Sequence, residues 1–408
     1  MLYRKILNKT FSNLTFAHHR YLSVSYNLNR SFIDKSSSSL ENNFPDDLKT
    51  SEVTELLENA TTFSDADDSN WIKNPYPETA PVNLQTKTEE PKVLPNDNSI
   101  ILFPGQGTLK VGMIKEYLRF PRVKEMYSIA SEILNYDLKK LTLEGPQSEL
   151  DKTEFNQIAT VVASLAALEK LIEDRPNVLD NCRCVAGYSV GELTALIFSG
   201  AINYESGLRL VHQRAKAMAK ASQYSKQGML YVYTKAESNV SQSCKDAEAW
   251  ARDLGFSDAV CRIAIYVHTQ GKVIGGNDEA LKYIQENSAK MGFKNVRRLP
   301  VSGAFHTPLM QPAIKPFKAI LNNTLIEEPR VTVYANCNAK NYNTPEMIRK
   351  NLLKQLVQSV KWEQIMQKIY SRPPGTTYPR TFDVGSQGML KSTLKSINSK
   401  AHNWCYSV

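Results

Sequence analysis

The feature that most restricts how this chain folds is the pentapeptide Gly187-Tyr-Ser-Val-Gly191. A short apolar run at 184–187 predicts a buried strand before it, and the pattern at 191–199 predicts a helix after it. A Gly-x-Ser-x-Gly turn between a strand and a helix is a nucleophile elbow, in which the serine has strained backbone dihedrals that the flanking glycines make possible. The pattern therefore predicts an α/β fold with Ser189 as a nucleophile. A structural turn with an incidental serine is the alternative.

Apolar runs and helical repeats alternate over most of the chain. Before residue 225, strands are predicted at 99–103 and 184–187, and helices at 111–134, 156–173, 191–199 and 204–222. Strands at 229–233, 260–267 and 272–275 follow, with helices at 238–254 and 278–291. Alternation of this kind favours a mainly parallel sheet. The sequence predicts a body made of 99–224 and 299–397, with an inserted βαββα-like subdomain at 225–298.

The first 33 residues carry five basic residues and no Asp or Glu. Apolar residues are interspersed with the basic ones, without the continuous apolar core of a secretory signal. We predict a mitochondrial transit peptide at 1–33 and a location in the mitochondrial matrix; a basic tail without a targeting role is the alternative. Residues 34–98 are rich in Ser, Asn, Asp, Glu and Pro, a composition typical of a mostly disordered linker.

Charge and cysteine content exclude several classes of function. The net charge of +9 is spread along the chain, which favours acidic partners without naming one. The six cysteines include no Cys-x-x-Cys pair, so a zinc ribbon is excluded and a disulfide framework is not expected. No nucleic-acid-binding signature and no run of about 18 apolar residues appears. We expect no metal, no nucleic acid and no membrane insertion.

A nucleophilic serine needs a base, and the chain has six histidines. His306 follows a predicted strand and lies in a turn of small residues, from which an imidazole can reach a cleft. By elimination among the six, His306 is the candidate general base. A third element is the loop around Gln106, directly after the first predicted strand, whose backbone amides can face a neighbouring strand end. A plain turn is the alternative for that loop.

Four separated motifs, taken together, resemble malonyl-coenzyme A:acyl carrier protein transacylases. The motifs are Phe103-Pro-Gly-Gln-Gly107, Gly187-Tyr-Ser-Val-Gly-Glu192, Gln213-Arg214 with Met218, and Val301-Ser-Gly-Ala-Phe-His-Thr-Pro-Leu-Met310. Their order and spacing match the family from about residue 99 to 397. The resemblance implies an α/β-hydrolase-like body with a parallel sheet, carrying an inserted ferredoxin-like α+β subdomain at 225–298.

The resemblance also assigns roles to individual residues. It makes Ser189 the nucleophile, His306 its base, Arg214 the ligand of the substrate carboxylate, Gln355 the residue whose main-chain carbonyl orients the histidine, and Gln106 and Val190 the oxyanion hole. A guanidinium suits a carboxylate because it donates two parallel charge-assisted hydrogen bonds. A solvated helix residue is the alternative for Arg214. The family usually has His where this chain has Tyr188, which we expect to tune the pocket without abolishing activity.

The activity implied is transfer of malonyl from malonyl-coenzyme A to acyl carrier protein through a malonyl-serine, in mitochondrial type II fatty acid synthesis. These two substrates are the implied partners, no cofactor is expected, and the protein is expected to act as a monomer. One rival is a serine hydrolase, such as a thioesterase, on the same elbow. A second is a catalytically silent scaffold of a mitochondrial complex. A third is an acyltransferase for another acyl group, and Arg214 argues for a carboxylated one.

Acyl carrier proteins are acidic, so their docking surface on this chain is expected to be basic. Lys294, Arg297 and Arg298 lie just ahead of the segment that delivers His306. We predict that these three residues dock the carrier. A solvated run of charges is the alternative.

Overall fold

The computed structural model describes residues 98–408. The predicted transit peptide and all but the last residue of the predicted linker lie outside that range. In chain order the strands are β1 (Ser99–Phe103), β2 (Cys182–Gly187), β3 (Gln227–Thr234), β4 (Cys261–His268), β5 (Gly271–Asn277), β6 (Phe293–Arg298), β7 (Thr332–Val333), β8 (Arg380–Asp383) and β9 (Cys405–Ser407).

The helices divide between the body and the small sheet. Those before residue 225 are α1 (Pro121–Leu134), α2 (Leu138–Glu144), α3 (Gln147–Leu150), α4 (Thr153–Asp174), α5 (Gly191–Phe198) and α6 (Tyr204–Ala221). Those after it are α7 (Val240–Asp253), α8 (Asp278–Glu286), α9 (Gln311–Asn322), α10 (Pro345–Val357), α11 (Trp362–Tyr370), α12 (Met389–Ile397) and α13 (Ser399–His402). Single 3₁₀ turns lie at Tyr117–Arg119 and Pro308–Met310.

Five parallel strands form the main sheet, in the order β7-β2-β1-β8-β9. The central strand β1 is buried along its whole length, as a near-continuous apolar strand of a parallel sheet should be. Phe103 at the end of β1 pairs with Gly187 at the end of β2. Both strands therefore deliver their following loops to the same edge of the sheet, which is where α/β folds place their sites.

Four antiparallel strands form a second sheet, in the order β4-β5-β3-β6. With α7 after β3 and α8 after β5, this stretch has the βαββαβ order of a ferredoxin-like fold. The strand β4 also pairs with the body, since the amide of Tyr266 donates to the carbonyl of Val360 over 2.9 Å. The predicted fold class, a parallel α/β body carrying a ferredoxin-like α+β unit, is confirmed.

Helix α4 lies in the centre of the body, packed against α1, α5 and α6. By length and composition this helix alone, within 98–408, would be able to cross a bilayer. Its most apolar window is 78% buried inside the protein, so its apolar surface belongs to the core.

Three parts of the structure differ from the prediction. The helix expected at 111–134 begins at Pro121, because a residue before proline disfavours helical dihedrals and Phe120 is extended. The small sheet has a further strand, β6, which carries four exposed polar residues among its six and so lacks the apolar alternation of a half-buried strand. The body continues past residue 397 with α13 and β9, and β9 pairs with β8.

Candidate active site

Ser189 lies at the turn between β2 and α5 with a backbone φ of 56°, in the left-handed region that non-glycine residues rarely adopt. The two flanking glycines make this turn possible. A Cβ atom on Gly187 would lie 1.9 Å from the backbone of Gly191, and one on Gly191 would lie 2.5 Å from the carbonyl oxygen of Phe103. The pentapeptide is therefore an elbow pressed against the end of β1, as the glycine spacing predicts.

Asn336, which follows β7, holds the elbow from the side. Its side-chain oxygen accepts a hydrogen bond from the amide of Ser189 over 2.7 Å, and its side-chain nitrogen donates to the carbonyl of Gly187 over 2.8 Å. Asn336 is fully buried. These two bonds offset part of the cost of the strained serine conformation, which is of order 1–3 kcal/mol.

The hydroxyl of Ser189 lies 2.7 Å from Nε2 of His306. Nδ1 of the same ring lies 2.6 Å from the main-chain carbonyl of Gln355. A carbonyl oxygen can only accept, so Nδ1 carries the proton and Nε2 presents its lone pair to the serine hydroxyl. This is the tautomer that a general base for Ser189 requires.

Burial and the nearby Arg214 cation lower the pKa of His306 to about 3. The imidazole is therefore neutral across the physiological range and able to accept a proton. His306 has a φ of 62°, and its turn is tied to β3 because the amide of Ala304 donates to the side-chain oxygen of Gln227 over 2.9 Å. The small sheet thus helps to place the base.

Arg214 is almost completely buried on α6. One terminal nitrogen donates to the side chain of Gln157, and the other donates to the side-chain oxygen of Gln355 over 2.8 Å and points at the Ser189 hydroxyl from 3.5 Å. Desolvation lowers the pKa of Arg214 to about 10, although the negative charge of Glu192 opposes this shift. The guanidinium stays charged near neutral pH, directly beside the nucleophile.

The loop after β1 lies against the elbow. A Cβ atom on Gly105 would come within 2.9 Å of the carbonyl oxygen of Tyr188. The side chain of Gln106 accepts a hydrogen bond from Gln157 over 3.2 Å. Within residues 98–408 the amides of Gln106 and Val190 donate no hydrogen bond to another residue. Two unpaired amides beside a nucleophile are what an oxyanion requires.

Glu192, the second residue of α5, was not predicted as a site residue from the sequence. Its carboxylate accepts hydrogen bonds from the Tyr342 hydroxyl, from the amide of Asn336 over 3.1 Å and from the side-chain nitrogen of Gln355 over 2.6 Å. The same Gln355 nitrogen donates to the carbonyl of Ser189 over 2.9 Å. The sequence signal was the acid directly after the elbow; nothing marked Asn336 or Tyr342.

Tyr188 lies directly before the nucleophile, where the resemblance leads us to expect a histidine. Its ring meets Trp362 edge-on, with 5.3 Å between the ring centroids. The residue fills space beside the elbow, and within residues 98–408 no hydrogen bond joins its side chain to the His306 imidazole.

A cleft of about 710 Å³ between the small unit and the body reaches His306. Four cations line it: Lys245 and Arg262 from the small unit, and Lys354 and Lys361 from the body. Arg262 is also paired with Glu248, which lies behind the lining. Its lining contains no carboxylate among the described residues. Such a cleft attracts anions, and phosphate groups above all.

The three basic residues predicted to dock a carrier do not line this cleft. Lys294, Arg297 and Arg298 lie on β6, at the opposite edge of the small sheet from β4, which does line it. Three strand spacings separate these edges, about 14 Å. Arg298 is also paired with Asp278. The structure brings the other predicted site residues together around Ser189 and leaves these three apart.

The described residues contain no group of three or more His, Cys, Asp or Glu side chains arranged to hold a metal ion. All six cysteines are free thiols. Five of them are buried, so the thiols belong to the packing of the protein.

Comparison with known proteins identifies the family to which this chain is similar. Residues 100–377 match the model of the acyl transferase domain family. A human protein named malonyl-CoA-acyl carrier protein transacylase, mitochondrial, is 46% identical over 76% of this chain and 79% of its own length. A Drosophila melanogaster protein named as a probable mitochondrial transacylase of the same kind is 41% identical, over 78% and 84% respectively.

Solved structures give the same result. The malonyl CoA-acyl carrier protein transacylase of Coxiella burnetii superposes with a TM-score of 0.69 and 29% identity, over 77% of this chain and 95% of that one. A malonyl-transacylase solved in complex with its type II PKS acyl-carrier protein superposes with a TM-score of 0.67 and 27% identity, over 76% and 94%. The chain therefore belongs to the acyl transferase domain family and, within it, to the malonyl-CoA-acyl carrier protein transacylases.

Proposed function

We propose that this protein transfers malonyl from malonyl-coenzyme A to the phosphopantetheine thiol of acyl carrier protein through a malonyl ester on Ser189. The observation that carries the proposal is a Ser189–His306 pair with a buried arginine at the nucleophile. The malonyl group has three carbons, with the thioester carbonyl at one end and a free carboxylate at the other. A site that transfers it therefore needs a nucleophile and a cation a few ångströms apart. Ser189 and Arg214 supply them.

In the first half-reaction Nε2 of His306 takes the hydroxyl proton as Oγ of Ser189 attacks the thioester carbonyl. The carbonyl oxygen becomes an oxyanion, which the amides of Gln106 and Val190 stabilise. When the tetrahedral intermediate collapses, the C–S bond breaks and the proton on Nε2 passes to the leaving coenzyme A thiolate. The second half-reaction reverses these steps, with the carrier thiol as nucleophile.

The environment of His306 suits a proton that is held only briefly. Its Nδ1 donates to the carbonyl of Gln355, which stabilises an imidazolium less than a carboxylate would. The Arg214 cation also disfavours the charged ring. An imidazolium formed at His306 therefore gives up its proton readily to the leaving thiolate, as each half-reaction requires.

The geometry weighs against the two main rivals. A serine hydrolase of this kind orients its histidine with a carboxylate. Here the orienting group is a main-chain carbonyl, and a buried arginine lies where the acyl group must end. A silent scaffold would have no need of a 2.7 Å contact between Ser189 and His306 in the correct tautomer.

The cellular setting is part of the proposal. The human and Drosophila melanogaster relatives are named as mitochondrial, which supports mitochondrial action. The basic, acid-free opening of the chain supports delivery to the matrix and use in type II fatty acid synthesis there. We further propose that the protein acts as a monomer and without a cofactor, since one chain supplies every group used in the two half-reactions.

Labelled malonyl-coenzyme A tests the proposal. We expect a hydroxylamine-sensitive malonyl adduct on the purified protein, which holo acyl carrier protein discharges, and parallel lines in double-reciprocal plots. Intersecting lines with no trapped adduct would contradict a covalent mechanism. Free malonate formed at the rate of adduct loss, with the carrier present, would favour the thioesterase.

The cations of the cleft are proposed to hold the phosphates of coenzyme A and of the carrier's phosphopantetheine arm. Charge reversal at Lys245 and Lys354, one exposed cation from each wall, is expected to slow both half-reactions on the order of tenfold at low ionic strength. The loss should shrink as salt rises, because exposed charges are screened. Single-turnover loading and discharge at two salt concentrations measure it.

The matched control reverses the same number of charges at Arg297 and Arg298, on the far edge of the small sheet. If the predicted patch of Lys294, Arg297 and Arg298 docks the carrier, this variant alone should slow discharge to the carrier and leave loading unchanged. If the cleft cations dominate, the control should match the wild type in both half-reactions.

A further inference from the structure

Glu192 is a fully buried carboxylate that the two half-reactions do not use directly. Three groups donate hydrogen bonds to it: the Tyr342 hydroxyl at Oε1, and the Asn336 amide and the Gln355 side-chain nitrogen at Oε2. The Asn336 amide and the Gln355 NH₂ group can only donate, so hydrogen bonding at Oε2 favours the ionised carboxylate. The Tyr342 hydroxyl adds a further donated bond at Oε1 while the carboxylate is ionised.

Two of these partners hold the reacting groups. Asn336 binds the amide of Ser189 and the carbonyl of Gly187, which fixes the elbow. Gln355 binds the carbonyl of Ser189 with its side-chain nitrogen and accepts from Nδ1 of His306 with its main-chain oxygen. One buried carboxylate thus reaches the nucleophile and the base through a single intervening residue each.

The orientation of the Gln355 side chain depends on Glu192. A carboxylate at Gln355 Nε2 forces Oε1 to the other side, where it accepts from Arg214 over 2.8 Å. If Glu192 loses its charge, the carbonyl of Ser189 is the remaining strong acceptor at Nε2, so the amide is held less firmly in this orientation. In the flipped orientation its NH₂ group would face the N–H groups of the guanidinium. That arrangement would push Arg214 away from its place beside Ser189.

We propose that ionised Glu192 is a positioning residue, which fixes Asn336 and Gln355 and through them the nucleophile, the base and the carboxylate-binding arginine. The proposal rests on the proposed function only in the choice of malonyl transfer as one readout. It predicts that the active site loses its geometry when Glu192 takes up a proton.

The charged and titratable groups around Glu192 determine the pH at which it takes up a proton. They are Arg214 from α6, Tyr342 and Cys337 from the segment after β7, and His306 across Gln355. Burial raises the pKa of Glu192 to about 7, while the Tyr342 hydrogen bond and the Arg214 charge favour its ionised form. Burial and the Arg214 cation lower the pKa of His306 to about 3, well below that of Glu192, so we expect Glu192 to give the acid limb near neutral pH.

The test is the pH profile of Ser189 acylation between pH 5.5 and 9 in the Tyr342→Phe variant. Acylation should be fastest above the pKa of Glu192 and fall as the pH drops through it. Phenylalanine removes a hydrogen bond that favours the ionised carboxylate, so the midpoint should move up by about one pH unit. The rate at high pH should change by less than about threefold, since the other two donors remain.

Tyr370→Phe is the matched control, because that buried hydroxyl meets Thr381 over 2.7 Å and is outside the network. Its midpoint should equal that of the wild type. Glu192→Gln should lose the acid limb and acylate about 10- to 100-fold more slowly at high pH, as expected for a misplaced catalytic geometry. If Glu192→Gln fails to fold, the shift in Tyr342→Phe still decides the question.

Two acyl donors separate the possible failures. Malonyl-coenzyme A reports on the proposed function, whereas a burst with p-nitrophenyl acetate needs Ser189 and His306 but no malonyl group. A midpoint that is the same in wild type, Tyr342→Phe and Tyr370→Phe with both donors would overturn the role of Glu192. A shifted midpoint in the burst without any malonyl adduct would leave that role intact and refute malonyl transfer.

Discussion

Ser189→Ala is expected to abolish the malonyl adduct and to lower malonyl transfer by roughly 10⁴- to 10⁶-fold, as the loss of a catalytic serine does elsewhere. The hydroxyl is the group that bonds to the acyl carbon, and its removal leaves Nε2 of His306 without the proton that it accepts over 2.7 Å. Mass spectrometry of the intact protein after malonyl-coenzyme A treatment measures the adduct, and single-turnover kinetics measure the transfer.

Two variants show that such a loss comes from the nucleophile itself. Ser199→Ala removes a buried hydroxyl from the end of α5, where it donates to the carbonyl of Leu196, and should keep the adduct. His306→Ala keeps Ser189 and should slow both half-reactions by the roughly 10²- to 10⁴-fold typical of a lost general base. An adduct of undiminished yield in Ser189→Ala would place the acyl group on another residue and refute the mechanism.

The elbow was predictable because its requirement is local. Strand β2 ends at Gly187 and helix α5 begins at Gly191, so Ser189 lies in a turn of three residues, and a side chain at Gly187 would clash with the backbone of Gly191 within that turn. His306 was predictable by elimination, since the chain has six histidines and this one follows a strand into a turn of small residues. Arg214 and Gln355 came from family resemblance, because their spacing alone does not bring them to Ser189.

The residues that support this site could not be predicted. Asn336 reaches the elbow because β7, a strand of two residues, pairs with β2, and so short a strand leaves no pattern in the sequence. Tyr342 meets Glu192 across 150 residues of chain. Such pairs form when helices and strands are packed, so a sequence read without its fold gives no sign of them.

Edge strands were missed for a related reason. The strand β6 pairs with β3 through its backbone, yet its exposed side chains are those of a solvated loop. Charged residues on an edge strand prevent pairing with other chains, and they also remove the apolar alternation by which strands are recognised. The same exposed charges suggested a docking patch, which the fold places on the far edge of the small sheet from the cleft.

Arg214→Ala is expected to reverse the acyl preference of the protein. In the wild type Gln157 and Gln355 each use one N–H of a terminal nitrogen, and the second N–H beside Gln355 points at the Ser189 hydroxyl over a long 3.5 Å. A substrate carboxylate can therefore compete for the second N–H groups. Without the guanidinium the malonyl carboxylate would be buried beside Glu192 with no cation. Loss of one partner of a buried ion pair costs about 3–5 kcal/mol, so loading from malonyl-coenzyme A should fall by roughly 10²- to 10⁴-fold.

Acetyl-coenzyme A carries no such charge, so its loading should fall by less than about tenfold and become faster than malonyl loading in the variant. Arg214→Lys keeps the positive charge without the planar fork and should give an intermediate malonyl rate. Arg209→Ala removes an exposed arginine from the same helix and should change neither substrate. Competition between the two labelled thioesters in one tube measures the ratio directly. Equal losses for malonyl and acetyl would mean that Arg214 supports the fold of the site through Gln157 and Gln355 and does not bind the substrate.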